Sequence, residues 1–201
     1  VQWAEVGCED MQPQTGITAT PVIDAAAGTV YVESKSKENG NFIHRLHALN
    51  LASGAEKISP VVISGSVSGT GDGSSNGTSQ FNSMRQLARP GLLLNNGLIY
   101  IAFASHCDIG PYHGWLFAYD SSLNQKAIFN STRYGGLGGF WMAGAGIAAD
   151  SSGNMFLASG NGSFDTTNAV IDYGDSIWKL AYNGSISATD YFTPSNQNSL
   201  N

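Results

Sequence analysis

The chain has 201 residues, of which 42% are hydrophobic and 12% charged, with 25 glycines and a formal net charge of -6. The charged share is roughly half the usual ~25%, so Ser, Thr, Asn and Gly must form much of the surface, a mixture that suits short strands and tight turns rather than helices. Lys and Arg form no cluster and no apolar run approaches the ~20 residues of a membrane-spanning helix, so nucleic acid, anionic lipid and a membrane span are not expected.

The first residues, VQWAEVGCED, have neither the basic start nor the apolar middle of a signal peptide, and any export signal is expected upstream. Cys8 and Cys107 lie too far apart in sequence for a local CxxC unit. Their count alone leaves a long-range disulfide and two buried thiols both open.

A repeat then organises the chain. Residues 16–63, 90–132 and 144–194 each begin with a small-residue strand ending on an acid or amide (Asp24, Asn95, Asp150), with a glycine a few positions on (Gly28, Gly97, Gly153). That is the chemistry of a turn between hairpin strands. An alternating, aromatic-bearing strand follows: Val30-Tyr31-Val32, Ile99-Tyr100-Ile101 and Met155-Phe156-Leu157. The third strand carries small residues, as Leu46, Ala48 and Leu49, as Leu116, Ala118 and Tyr119, and, shifted by one residue, as Leu180, Ala181 and Tyr182. A fourth strand ends each unit. Residues 64–89, Gly/Ser-rich, are too polar for core and too long for a hairpin turn, so they read as an inserted loop, where function is often found. Gly135–Gly139, ahead of Phe140-Trp141-Met142, reads as a flexible crossing followed by an aromatic anchor, and Trp115, Trp141 and Trp178 are expected in the core, with an exposed sugar-binding platform as the alternative.

A four-stranded unit repeated in this way predicts an all-β fold, one partial β-propeller domain over residues 1–201 with about three blades and a long insertion at 64–89. Propellers typically have about four to eight blades. The chain is therefore expected to be a piece of a larger whole, its remaining blades coming from the parent chain or from another copy.

The segment HRLHALNLASGAEK resembles the A-L-D-x-x-T-G-x-x-x-W element of the quinoprotein-type (PQQ-like) propeller repeat. The likeness is strongest at Ala48, Leu49, Asn50, Ser53 and Gly54, weaker at Ala118, Tyr119 and Asp120, and weakest at residues 181–184. Asn50 stands where Asp is usual and Ile58 where a docking Trp would sit, so looser or differently anchored blade packing is expected. GITATPVID, SHCDIGPYHGW and GIAADSSGNMFLASGNGSFD also resemble a group of exported proteins carrying this repeat, in which cysteines matching Cys8 and Cys107 recur together. The resemblance implies a disulfide between Cys8 and Cys107 and a secreted or extracytoplasmic location, in a periplasm or at a cell surface. Quinoprotein dehydrogenases hold their quinone under a disulfide between adjacent cysteines, beside Ca²⁺; this chain has no adjacent pair, so PQQ is not expected. Missing blades keep a PQQ- and Ca²⁺-dependent oxidoreductase as an alternative.

Other candidate sites are weaker. His44 and His47 are three apart on a strand, hence on opposite faces, and a shared metal is not expected. The run Gly71 to Asn76 has the look of a Ca²⁺ loop without its further acids. His106, Asp108 and His113 are competent metal ligands that a turn at Gly110-Pro111 would bring together; the plainer expectation is a bridged Cys107, a turn-capping Asp108 and histidines bonded to carbonyls. Asn161, Asp165, Asp172 and Asp175 bracket a loop that would offer oxygen ligands to Ca²⁺, the one cofactor these residues suit, with turn and cap roles as the alternative. Asn76, Asn130, Asn161 and Asn183 begin sequons and are candidate glycosylation sites. No nucleophile elbow, zincin motif or phosphate loop occurs. The expected function is therefore non-catalytic, a binding or scaffolding propeller that contacts a protein or glycan through its inter-strand loops. A structural role in an assembly, through open strand edges, is a further alternative.

Overall fold

Turn chemistry sets out the first sheet of the computed structural model, which describes residues 1–167 and 171–200. After the short helix α1 (Trp3–Val6), strand β1 (Val22–Asp24) reverses into β2 (Thr29–Glu38) where Asp24 Oδ1 accepts from the Ala27 amide at 2.9 Å and Gly28 takes φ +59°. Asn39 and Gly40, at φ 51° and 84°, form the two-residue turn to β3 (Asn41–Asn50), the sequence pair such turns favour. With β4 (Glu56–Val62) the sheet runs β1-β2-β3-β4.

The insertion has structure of its own. Strands β5 (Ser66–Ser68) and β6 (Thr78–Gln80) form a hairpin, and β7 (Gln86–Leu87) joins the second sheet. That sheet contains β8 (Leu93–Asn95), β9 (Leu98–Ser105), β10 (Trp115–Asp120) and β11 (Gln125–Asn130), with β7 and β8 both paired to β9. The third sheet contains β12 (Ala148–Ala149) and β13 (Met155–Ala158). A side hairpin of β14 (Phe164–Asp165) and β15 (Asp172–Tyr173) intervenes before β16 (Ile177–Tyr182) and β17 (Ile186–Phe192), giving the order β12-β13-β16-β17. The chain is thus all-β, and none of its antiparallel sheets closes on itself among the described residues.

All eight residues of β9 are buried, as a continuous apolar run predicts for a strand covered on both faces. On one face Ile99, Ile101 and Phe103 pack with Trp115 and Phe117 against Tyr31, Leu46 and Ala48 of the first sheet. On the other, Leu98, Tyr100 and Ala102 pack with Leu116 and Ala118 against Met155, Leu157, Trp178 and Leu180 of the third. The sheets therefore stack face to face with the second in the middle. Their leading segments also touch: the Leu92 amide donates to the Thr20 carbonyl at 2.9 Å, the Gly91 amide to the Ala145 carbonyl at 2.8 Å, and Gly91 pairs with Gly146 in parallel.

The third strands share one irregularity. Each breaks register with its outer neighbour at one matching position, between Ala48 and Leu49, Ala118 and Tyr119, and Lys179 and Leu180. Tyr100 pairs with Ala118 and Phe156 with Lys179, so Lys179, not Ala181, holds the place of the small residue, and the one-residue shift drawn from the sequence is removed. Ala48 and Ala118 face a neighbouring sheet, which limits their size. Lys179 is on the face turned away from that core.

The glycine run after the second sheet is closely packed rather than loose. A Cβ on Gly135 would strike Ser163, one on Gly136 would strike Asp72, and one on Gly138 would lie 2.7 Å from Thr132. This close approach lets the Gly138 amide reach the Asn161 carbonyl at 2.7 Å and the Gly174 amide the Ser163 carbonyl at 2.8 Å. Trp115 and Trp178 are fully buried, whereas Trp141 is half-buried under the Arg89 guanidinium at 5.1 Å.

Candidate functional site

Alternation along β2 places Glu33 and Lys35 on the same face as buried Tyr31. Both charges are consequently enclosed, at 1% and 3% exposure, and each must be paired internally. Glu33 Oε1 lies 2.6 Å from His44 Nδ1, and His44 Nε2 reaches the Gln86 carbonyl at 3.1 Å. The Lys35 ammonium uses its three donors on the Met84 carbonyl (2.9 Å), the Gln86 carbonyl (2.7 Å) and His106 Nε2 (2.9 Å). Burial draws the Lys35 pKa down to about 7, against the pull of Glu33 and Asp10. His106 accepts from Lys35 on one ring nitrogen, and its Nδ1 lies 3.1 Å from Asp10 Oδ1, the pattern of a neutral imidazole. Burial first, then the Lys35 charge, pushes its pKa down to about 4.

The disulfide between Cys8 and Cys107, with Cα atoms 5.6 Å apart, fastens this network. It ties the N-terminal segment carrying Asp10, which also pairs with Arg89, to the loop carrying His106.

Above the network a cleft of about 400 Å³ opens between the β2–β3 turn, the insertion and the loop before β10. Its wall combines the amides of Asn41, Gln80, Asn82 and Gln86 with the rings of Phe42, Phe81, Tyr112, His113 and Trp115. Gln86 is fully buried; its Nε2 donates to the His113 carbonyl at 2.7 Å, which fixes the amide and leaves Oε1 unpartnered. Asn82 turns its Oδ1 to the Met84 and Arg85 amides at 3.2 and 3.3 Å, which shapes the loop around Gln86.

His106, Asp108 and His113 do not come together. His106 belongs to the Lys35 network, and Asp108 takes the Tyr112 hydroxyl and, at 2.5 Å, the Asn161 side-chain amide. Burial, then the bond to Asp108, raises the Tyr112 pKa and keeps the phenol protonated. His113 has Nδ1 on Thr132 Oγ1 at 3.0 Å and Nε2 on the Asp72 carbonyl at 2.9 Å, and burial lowers its pKa. Metal-type donors converge instead at Cys8, Asp10 and His106, within 4.8 Å of one another, but Cys8 is spent in the disulfide and the other two bond to each other.

The second candidate set is also dispersed. Asp165 Oδ1 caps the Thr167 amide at 2.7 Å, buried Asp172 accepts from the Tyr134 amide at 3.1 Å, and Asp175 takes Gln197 Nε2 at 3.1 Å. Asp165 and Asp172 lie opposite each other in the β14–β15 hairpin, and burial raises the Asp172 pKa. Among the sequons, Asn76 and Asn183 lie on exposed turns, and Asn161 is tied to Asp108. Asn130 is enclosed, with Oδ1 on the Thr132 amide at 2.9 Å.

His47 stands on the opposite face of β3 from His44. Its Nε2 is 2.9 Å from Ser34 Oγ and its Nδ1 2.6 Å from Glu56 Oε1, the order of a nucleophile, base and orienting carboxylate. The three lie on the side of the first sheet away from the second sheet. The sequence reading missed this line, Lys35 and Gln86, because each joins residues from different strands or loops; only the shared face of Tyr31, Glu33 and Lys35 marked the enclosed charges.

No helix among the described residues is long and apolar enough to cross a membrane. No protein-family model matches the sequence, and no curated protein matches it.

Proposed function

We propose that the chain is a three-blade stretch of a β-propeller, working outside the cytoplasm as a non-catalytic binding module that holds a protein or glycan at its loop cleft. The observation that carries this reading is the contact between leading segments, Thr20 with Leu92 and Gly91 with Ala145, in sheets that stack through shared apolar faces. Radial blades have that arrangement, and their loops gather at one end of the stack. The disulfide supports an oxidising compartment. The cleft presents amides and rings rather than a nucleophile with its base, which favours recognition over chemistry.

Immobilised chain is expected to retain ligands from glycan and peptide arrays, and to lose them when residues 80–86 are altered. A thermal shift and new visible absorbance on adding the quinone with Ca²⁺, without array binding, would replace this reading with the oxidoreductase one.

A further inference from the structure

Alternation gives each sheet two faces, and the strand registers show which positions match from one sheet to the next. Tyr31 opposite Ala48, Tyr100 opposite Ala118 and Phe156 opposite Lys179 form one matched set. At the fourth strands, Val61 pairs with Leu46, Phe129 with Leu116 and Phe192 with Ile177. In the first sheet the face carrying these residues turns towards the second, and in the second sheet towards the third. In the third sheet it turns outward. Leu46 and Leu116 are therefore fully buried, whereas Ile177 and Phe192 keep the same apolar character at 53% and 62% exposure. Large apolar side chains gathered on one exposed face mark an interaction surface. Between Phe156, Ile177, Lys179 and Phe192 that face holds a groove of about 180 Å³.

The other end of the stack carries the matching surface. Val30 opposite Leu49 and Val32 opposite His47 occupy the positions of Ile99 opposite Tyr119 and Ile101 opposite Phe117 in the second sheet, and of Met155 opposite Leu180 and Leu157 opposite Trp178 in the third. In the second and third sheets all eight are buried against the preceding sheet. The first sheet has Val, Val and Leu at three of the four positions, with no sheet before it among the described residues, and Ile23, opposite Val30, is 54% exposed. Charge does not oppose a meeting of the two ends: Arg45 is paired with Glu38 and His47 with Glu56 on the first, and Lys179 stands opposite Asp190 on the third.

We infer that the outward face of the third sheet docks on the outward face of the first sheet of a second copy of this chain, and that two copies close on each other through two such contacts. The inference rests on the stacked-blade reading and names the partner of the two end faces. Each contact joins unlike patches, the head-to-tail kind that ends only where the ring closes. Two copies of three sheets place six around the ring, within the usual range of about four to eight blades. Lys179 sits where the other sheets have Ala48 and Ala118; its stem covers apolar surface while its ammonium reaches water, so this contact is looser than those within the chain and reversible.

The test weighs the full chain by light scattering during size exclusion, across a dilution series. A dimer that dissociates on dilution is expected. Phe192→Glu on one end and Ile23→Glu on the other should each weaken association about ten-fold or more, because each encloses an unpaired carboxylate in the contacts. Both side chains are more than half exposed in the single chain, so the variants keep its fold, as melting of the diluted proteins checks; Ile177→Glu repeats the test on the third sheet. Mixing the two variants gives the sharper readout. One contact of the mixed pair then carries both substitutions and the other neither, so the mixture should regain dimer, which a contact between identical patches would not allow. A monomer at every concentration, an assembly of three or more copies, a dimer indifferent to all the substitutions, or a mixture that stays monomeric would each overturn the inference. A monomer that binds the glycan or peptide arrays would leave the binding-module reading standing and remove this one, whereas a dimer that binds neither would do the reverse.

Discussion

Replacing Lys35 with Met tests whether the enclosed polar network is a supporting element of the fold. Three acceptors lose their donor: the Met84 carbonyl, the Gln86 carbonyl and His106 Nε2. The Gln86 carbonyl keeps His44 Nε2 at 3.1 Å, so two groups lose their partner, the part-buried Met84 carbonyl and the buried His106 Nε2. At about 1–3 kcal/mol each, offset by no longer enclosing an ammonium, the net loss is about 2–4 kcal/mol. Urea unfolding followed through the buried Trp115 and Trp178 reads it as a midpoint lowered by roughly 1 M at unchanged slope. A second signature concerns pH. The Lys35 pKa of about 7 lies below the ordinary 10.5, so the unfolded chain binds the extra proton between those values and the native protein gains stability as pH rises from about 7 to 10.5. The Met variant should lose that gain. A variant as stable as the parent, with the alkaline gain intact, would refute the argument that these bonds hold the loop in place.

His106 makes the complementary prediction on the acid side. Its folded pKa of about 4 is below the ordinary 6.5, so the stability it confers is present above 6.5 and is lost as pH falls towards 4; His106→Gln, which keeps a donor for Asp10 and an acceptor for Lys35, should flatten that part of the profile in denaturation melts. Gly162→Ala would drive a Cβ into the Gly138 backbone and should cost about 3 kcal/mol or more, whereas Gly146→Ala, whose Cβ meets the Gly91 carbonyl oxygen at 3.5 Å, should change stability by less than about 1 kcal/mol. Fluorophosphonate treatment should leave Ser34 unlabelled by mass spectrometry, because a binding module does not need the Ser34–His47–Glu56 line as a nucleophile; labelling abolished by His47→Ala would assign it hydrolytic chemistry.

The hairpins were the most legible part of the sequence, since Asp24, Asn95 and Asp150 followed by glycine are local signals for a local event. Gly28, Gly97 and Gly153 do take positive φ, of 59°, 76° and 85°. The third strand of the last unit was less legible: Leu180-Ala181-Tyr182 imitates the apolar pattern of the other two, but pairing with Phe156 sets the register and puts Lys179 on the face turned away from the apolar core. The site was the least legible part. Sequence spacing allowed His106 to meet Asp108 or His113, with bonding to carbonyls as the plainer expectation, yet its partners are Lys35, 71 residues away, and Asp10, 96 residues away. Loop spacing limits reach without setting direction, and the enclosed amide of Gln86 has no mark in the sequence at all.

The burial of β9 on both sides makes the second sheet a party wall, with the residues before and after it as two rooms that share it. Cutting away either room strips a whole side of the wall to water, where an apolar surface with paired strands invites association with whatever is near. The copies of this repeat are therefore unequal partners in folding, and amide exchange should be slowest in the middle one, with the flanking two opening first.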